Sequence, residues 1–306
     1  MISNKLLKNE LVVALLAMIC CLLWGSAFPC VKIGYRLFCI NADDAFSQIL
    51  FAGIRFFFAG FFTIAIGSIA AKKALLPSRR AFHKIAVLAV FQTVLQYIFF
   101  YLGLARTTGV KASILTSSNV FFAILISASL FKMERLSTKK IIGCILGFMG
   151  VVIINLTGTG FDLSFSPTGD GFIVISAASY AFSSAFIKLF SQDESPVMLS
   201  GWQFMLGGAV MIAAGFIGGG RITAVSGYGI LMLIYLSMLS FAAFSLWGLL
   251  LKHNPVSKIT VYGFMNPVFG VMLSAVFLAE GNSFDPVKVV ISLLLVAIGI
   301  IVVNRN

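Results

Sequence analysis

A chain of 306 residues with 60% apolar and only 10% charged residues, and a mean hydropathy of +1.05, falls outside the soluble globular class, where roughly a quarter of residues are charged. The net charge of +12 does not point to nucleic acid, because the basic residues lie in short loops between apolar runs, where they orient membrane proteins. The five cysteines (Cys20, Cys21, Cys30, Cys39, Cys144) are odd in number, lie mostly inside apolar runs and lack metal-ligand spacing, so they read as small apolar residues. No metal or other cofactor is expected.

A bilayer core about 30 Å thick is crossed by about 20 helical residues, and such spans fit almost end to end. The chain opens like a signal peptide, with Lys5 and Lys8, an apolar run and Gly25-Ser26-Ala27. Its apolar character continues past Ala27, so this stretch is read as a retained first helix. Ten spans are predicted near 11–34, 47–70, 84–105, 110–132, 138–156, 170–190, 197–217, 227–251, 256–279 and 286–304. The expected fold is an all-α integral membrane protein of ten helices.

Polar groups inside spans are few, and each is costly in lipid without a partner. The first span carries Trp24 at mid-depth and Lys32 near its end, and the second carries Arg55. Gln92 and Gln96, four residues apart, share one face of the third helix. Asn119 lies in the fourth span, followed by the basic knot KMERLSTKK and a fifth span whose Gly143, Gly147 and Gly150 form a face for close helix contact. Tyr180 and Lys188 occupy the sixth span. In the ninth, Pro267 follows Asn266, and a helix break there frees backbone carbonyls.

The stretch Ser118–Asn155 recurs about 150 residues later as NPVFGVMLSAVFLAEGNSFDPVKVVISLLLVAIGIIVVN, with Glu134 answered by Glu280, Lys140 by Lys288 and Gly150 by Gly299. Trp24 and Lys32 match Tyr180 and Lys188, and Arg55-Phe56 matches Gln203-Phe204. Two repeats, 1–156 and 157–306, are therefore predicted. Five spans per repeat is an odd number, so the second half inserts upside down relative to the first. With the N-terminus in the cytoplasm, fifteen Lys and Arg face inward and six outward, leaving Arg55 within a span. Both termini are placed in the cytoplasm.

All ten acidic residues fall in loops or at span ends, and His83 and His253 sit in cytoplasmic loops. An intramembrane carboxylate relay, a zinc site and a nucleophile motif are all missing, so an enzyme is not expected. Inverted repeats around a midplane site recur in secondary transporters. Trp24, Gln92, Gln96, Asn119, Tyr180 and Asn266 are candidate substrate-binding residues, against the alternative that the amides are interhelical glue. Lys32, Arg55 and Lys188 are candidate gating or electrostatic groups. Arg55 attracts a substrate anion, or else caps carbonyls or snorkels outward.

WGSAFPCVK in the first span, the Arg55-Phe56 pair and SLFKMERLSTKKIIGCILGFMGVVIIN resemble the EamA family of the drug/metabolite transporter superfamily. The resemblance extends over nearly the whole chain as two EamA-like repeats. It implies ten helices in inverted five-plus-five repeats, cytoplasmic termini and transport of small metabolites, often outward. The expectation is an inner-membrane transporter for an amino acid or similar polar or amphipathic solute, working by alternating access. Its partners are the small-molecule substrate and the lipid bilayer. Oligomeric state is open, a monomer being compatible with the chain. A membrane receptor or regulatory scaffold is the alternative.

Overall fold

The computed structural model describes residues 6–156, 164–277 and 285–305, and these residues contain no strand. Ten helices are long and apolar enough to cross a membrane: α1 Glu10–Leu37, α2 Ala45–Ala71, α3 Ala81–Leu104, α4 Gly109–Leu130, α5 Thr138–Asn155, α6 Asp170–Phe190, α7 Pro196–Ile217, α8 Gly227–His253, α9 Val256–Phe277 and α10 Pro286–Asn304. Several start earlier than their hydropathy suggests, because the boundary is set by a polar cap. The Asn9 side chain accepts from the amides of Leu11 and Val12, Asp44 from Ser47, and Thr108 from Lys111. Exposed Leu11, Leu15, Ile19 and Leu22 give α1 an apolar outer stripe, the surface a lipid-facing helix presents. Glu280 and its loop lie outside the described residues.

Two long helix pairs dominate the packing. α2 runs along α7, and α5 along α10. α1 lies against α8 and α9, while α6 lies against α3 and α4; α2 also meets α8, as α7 meets α3. Advancing every helix number by five, and counting on from α10 to α1, converts each contact into another one present.

Glycines make the two long pairs possible. A Cβ at Gly60 would stand 2.5 Å from the Gly201 carbonyl oxygen, and one at Gly208 would stand 2.5 Å from the Phe57 amide nitrogen. Gly208 also faces Gly53, so α2 and α7 cross antiparallel with the pairs 53/208 and 60/201 in register. In the second pair the predicted ladder is in contact, Gly299 lying against Gly143 and Gly147. Gly208→Val is expected to cost about 2 kcal/mol by forcing α2 from α7, read as a lowered thermal midpoint. Gly109→Ala, where a Cβ meets nothing within 4 Å, leaves the midpoint within error.

Three helices deviate from regular winding, and the deviations coincide with their polar residues. α3 is π-helical over Ala89–Leu95 and α4 over Ile126–Leu130. α4 is interrupted at Ser118, and α9 passes through a 3-10 turn over Val261–Phe264. α1 carries Pro29 without interruption. Pro267 does not end α9 either; lacking an N–H for the Gly263 carbonyl, it leaves a local turn, and the helix continues.

Candidate functional site

A chain of touching rings crosses the middle of the bundle. Tyr97 of α3 lies 4.4 Å from Phe56 of α2, which stacks on Phe204 of α7 at 5.2 Å with an interplanar angle of 8°. Phe204 meets Phe244 of α8 edge-on at 4.8 Å. Phe244 meets Trp24 of α1 at 5.1 Å, and Trp24 meets Trp247 at 4.9 Å. Tyr180 of α6 packs against the same cluster. Trp24 and Tyr180 therefore share one aromatic assembly. Phe56 and Phe204, matched by the sequence correspondence, stack on one another.

Charge around that pair is unequal. Arg55 and Gln203 each precede their phenylalanine, and because α2 and α7 are antiparallel they sit on opposite sides of the stack. Arg55 is 6% exposed, with its guanidinium 4.3 Å over the Phe56 ring and 6.0 Å from that of Tyr97. It neither snorkels nor forms an ion pair among the described residues. The Gln203 oxygen accepts from the Thr93 hydroxyl at 2.7 Å, leaving its amide nitrogen without a partner.

The predicted amides sit where helices are irregular. Gln92 is buried within the π segment of α3, whose loosened carbonyls are met by α6: Ser179 donates to the Phe91 carbonyl at 2.7 Å and Ser176 to that of Gln96 at 2.6 Å. Asn119 immediately follows the interruption of α4 and borders Gly263 in the 3-10 turn of α9. Asn266 immediately follows the first residue after that turn. Buried polar atoms without a protein partner recur across these helices: Trp24 Nε1, Arg55 Nε, Gln92 Oε1, Gln96 Oε1, Gln203 Nε2, Trp247 Nε1 and Asn266 Oδ1. An unpaired buried polar group costs about 1–3 kcal/mol.

Other predicted residues lie elsewhere. Lys188, at the end of α6, donates to the carbonyls of Lys252 and Asn254 at 3.1 and 2.9 Å and so caps the C-terminus of α8. Lys32 is exposed, away from the ring chain. A cavity of about 430 Å³ lies between the later part of α1 and the start of α8, lined by Ile33, Leu37, Tyr228, Leu231, Met232 and Tyr235. None of the predicted binding residues lines it.

Sequence reasoning passed over Tyr97, Gln203 as a polar site residue, and the role of Glu134. Gln203 carried a signal, because the sequence correspondence pairs it with Arg55. Glu134, between α4 and α5, is tied to the other half of the chain. Its carboxylate accepts from the Ser127 hydroxyl at 2.7 Å, the Ser257 amide at 3.0 Å, the Ser257 hydroxyl, and Lys140 Nζ at 2.5 Å. Ser257 lies in the first turn of α9, where the helix dipole favours an anion. Burial alone raises this carboxyl's pKa, but the hydrogen bonds from Lys140, Ser257 and Ser127 outweigh it and hold the group below its ordinary value.

Known proteins share this architecture. A solved structure covering 97% of this chain and 97% of its own superposes with a TM-score of 0.78 at 19% identity, a likeness of fold. A transporter of Bacillus subtilis, YvbV, is 26% identical over 302 residues, spanning 96% of this chain and 92% of its own, and one of Archaeoglobus fulgidus is 25% identical over 293 residues, spanning 92% and 95%. A WAT1-related chloroplast protein of Arabidopsis thaliana is 23% identical over 255 residues, 78% of this chain but only 61% of that longer protein. The profile of the EamA-like transporter family matches residues 11–156 and again 167–305. Those matches take in nearly all of the ten-helix bundle, and the chain is a multi-pass membrane protein of the EamA-like transporter family.

Proposed function

We propose that this protein is an inner-membrane transporter that moves a small polar or amphipathic metabolite, an amino acid or similar solute, outward by alternating access. Two inverted repeats, 1–156 and 157–306, rock about the Phe56–Phe204 pair. The observation that carries this reading is the set of buried, unpartnered polar atoms on α1, α2, α3, α7, α8 and α9 beside the ring chain. Such atoms are retained where a polar solute and its water complete their hydrogen bonds in turn. Trp24, Tyr180, Gln92, Gln96, Asn119 and Asn266 line the path, and Pro267 keeps a carbonyl of α9 available to it. Lys188 holds the end of α8 at the inner gate, and Lys32 stands at the outer one. No catalytic role is assigned.

A ligand-induced thermal-shift screen of the purified protein against amino acids, nucleosides and cationic drugs tests the reading. Stabilisation by one chemical class is expected, and stabilisation by none counts against it.

Topology is testable separately. Both termini and the loop bearing the exposed Lys139 are placed in the cytoplasm by the excess of basic residues there. On a cysteine-free background, Lys139→Cys is expected to resist a membrane-impermeant thiol reagent in intact cells and to react after permeabilisation. Labelling in intact cells reverses the assignment.

A further inference from the structure

Arg55 brings a full charge into the bundle interior, and the usual means of accommodating one are missing around it. At 6% exposure the side chain does not reach water along its own stem. The acids at the helix ends are engaged by other cations: Asp193 by Lys84, Asp170 by Lys111, Glu134 by Lys140, Glu10 by Lys258 and Asp285 by Lys288. None of the described acids pairs with Arg55. Its Nε is buried without an acceptor. The faces of Phe56 and Tyr97 attract the cation, and the Tyr97 phenol is a polar neighbour. The rings and the phenol, which can accept a hydrogen bond from the guanidinium, are neutral, so the charge has no counter-ion among the described residues. What completes the group is an anion from outside the chain, and the planar guanidinium fork fits a carboxylate with two parallel hydrogen bonds.

We propose that Arg55 is the carboxylate subsite of the central path, and that the solutes carried are small carboxylates with an apolar body and no ammonium group. The carboxylate neutralises Arg55, and the apolar body lies along the further rings of the chain. A zwitterionic amino acid brings in addition an ammonium ion, for which no described carboxylate stands at this depth. The ring faces of Phe56 and Tyr97 are already taken by the guanidinium. The position that the sequence correspondence pairs with Arg55 holds neutral Gln203, so this part of the path has a single positive pole. The proposal rests on the transporter reading and, among small amphipathic metabolites, sets ammonium-free carboxylates in place of amino acids.

Three probes that share a phenyl ring and differ in charge separate the possibilities: phenylpyruvate, phenylalanine and phenethylamine. Titrated against the purified full-length protein, phenylpyruvate is expected to bind at least about tenfold more tightly than phenylalanine, and phenethylamine not at all. Arg55→Gln is expected to weaken phenylpyruvate at least about tenfold, the scale of one charge-assisted pair, and Arg55→Lys to fall between. If Arg55→Gln does not fold, the ranking on the unaltered protein and the Arg55→Lys value decide the matter. Equal affinity for phenylalanine and phenylpyruvate, binding of none of the probes, or full affinity in Arg55→Gln overturns the proposal. In proteoliposomes, exchange of phenylalanine with phenylpyruvate inert overturns the carboxylate assignment and leaves the transporter reading standing. Exchange of no solute at all removes both.

Discussion

Glu134→Ala is expected to lower the stability of the folded bundle by about 3 kcal/mol, the scale of breaking a buried ion pair from one side. The side chains of Glu134 and Lys140 are 7% and 16% exposed, so solvent screens little of the interaction. The substitution takes the shared carboxylate from Lys140, the Ser127 hydroxyl and the first-turn amide of α9 together, and the amide keeps no other acceptor. Lys140→Ala leaves the carboxylate three of its donors and is expected to cost only about 1 kcal/mol. The order of the two thermal midpoints is the check; equal losses would mean that the ion pair alone holds this end of the bundle. The contribution also depends on pH. Because the folded carboxyl titrates below its ordinary value of 4.5, its stabilisation is complete above that value. It is lost as the pH falls through the lowered folded value. Glu134→Ala should therefore flatten the acid limb of the stability profile.

Phe204→Ala is the second large effect, at about 3 kcal/mol. The side chain is 0% exposed and touches both Phe56 and Phe244, so its loss opens a cavity in the middle of the ring chain. Lipid is as apolar as the bundle interior, so the transfer term is weak here and the lost contacts dominate. Phe204→Leu, which refills most of the volume, is expected to recover at least half of the midpoint. If alanine and leucine are equally harmful, stacking geometry rather than volume is what Phe204 supplies.

The number, type and rough limits of the helices were legible in the sequence, because twenty-residue apolar runs admit little else. The starts were legible only in part. Hydropathy marks where a span becomes apolar, whereas Asn9, Asp44 and Thr108 fix the first turn by side-chain hydrogen bonds. Mid-span polar residues were visible as exceptions to composition, and in the fold they sit at the irregular turns of α3, α4 and α9. Their partners could not be read, since helix pairing depends on contacts between residues about 150 positions apart. Thus Lys188 is recognisable in the sequence as a charge near a helix end, but only the fold shows it capping α8. The π segments left no composition signal, because the serines that complete their carbonyls are on another helix. The correspondence of Arg55-Phe56 with Gln203-Phe204 came nearest to revealing the site.

On the proposed reading, a solute crosses through the ring-lined middle of this bundle with no intramembrane carboxylate among the described residues to carry protons. Counterflow in proteoliposomes tests it most directly, using the solute that gives the largest thermal shift, with and without an imposed pH step. Internal unlabelled solute is expected to drive transient uptake of labelled solute without a pH step, and Trp24→Ala to reduce this uptake at least about tenfold while remaining folded. Accumulation that appears only with the pH step, or uptake that Trp24→Ala leaves unchanged, contradicts it.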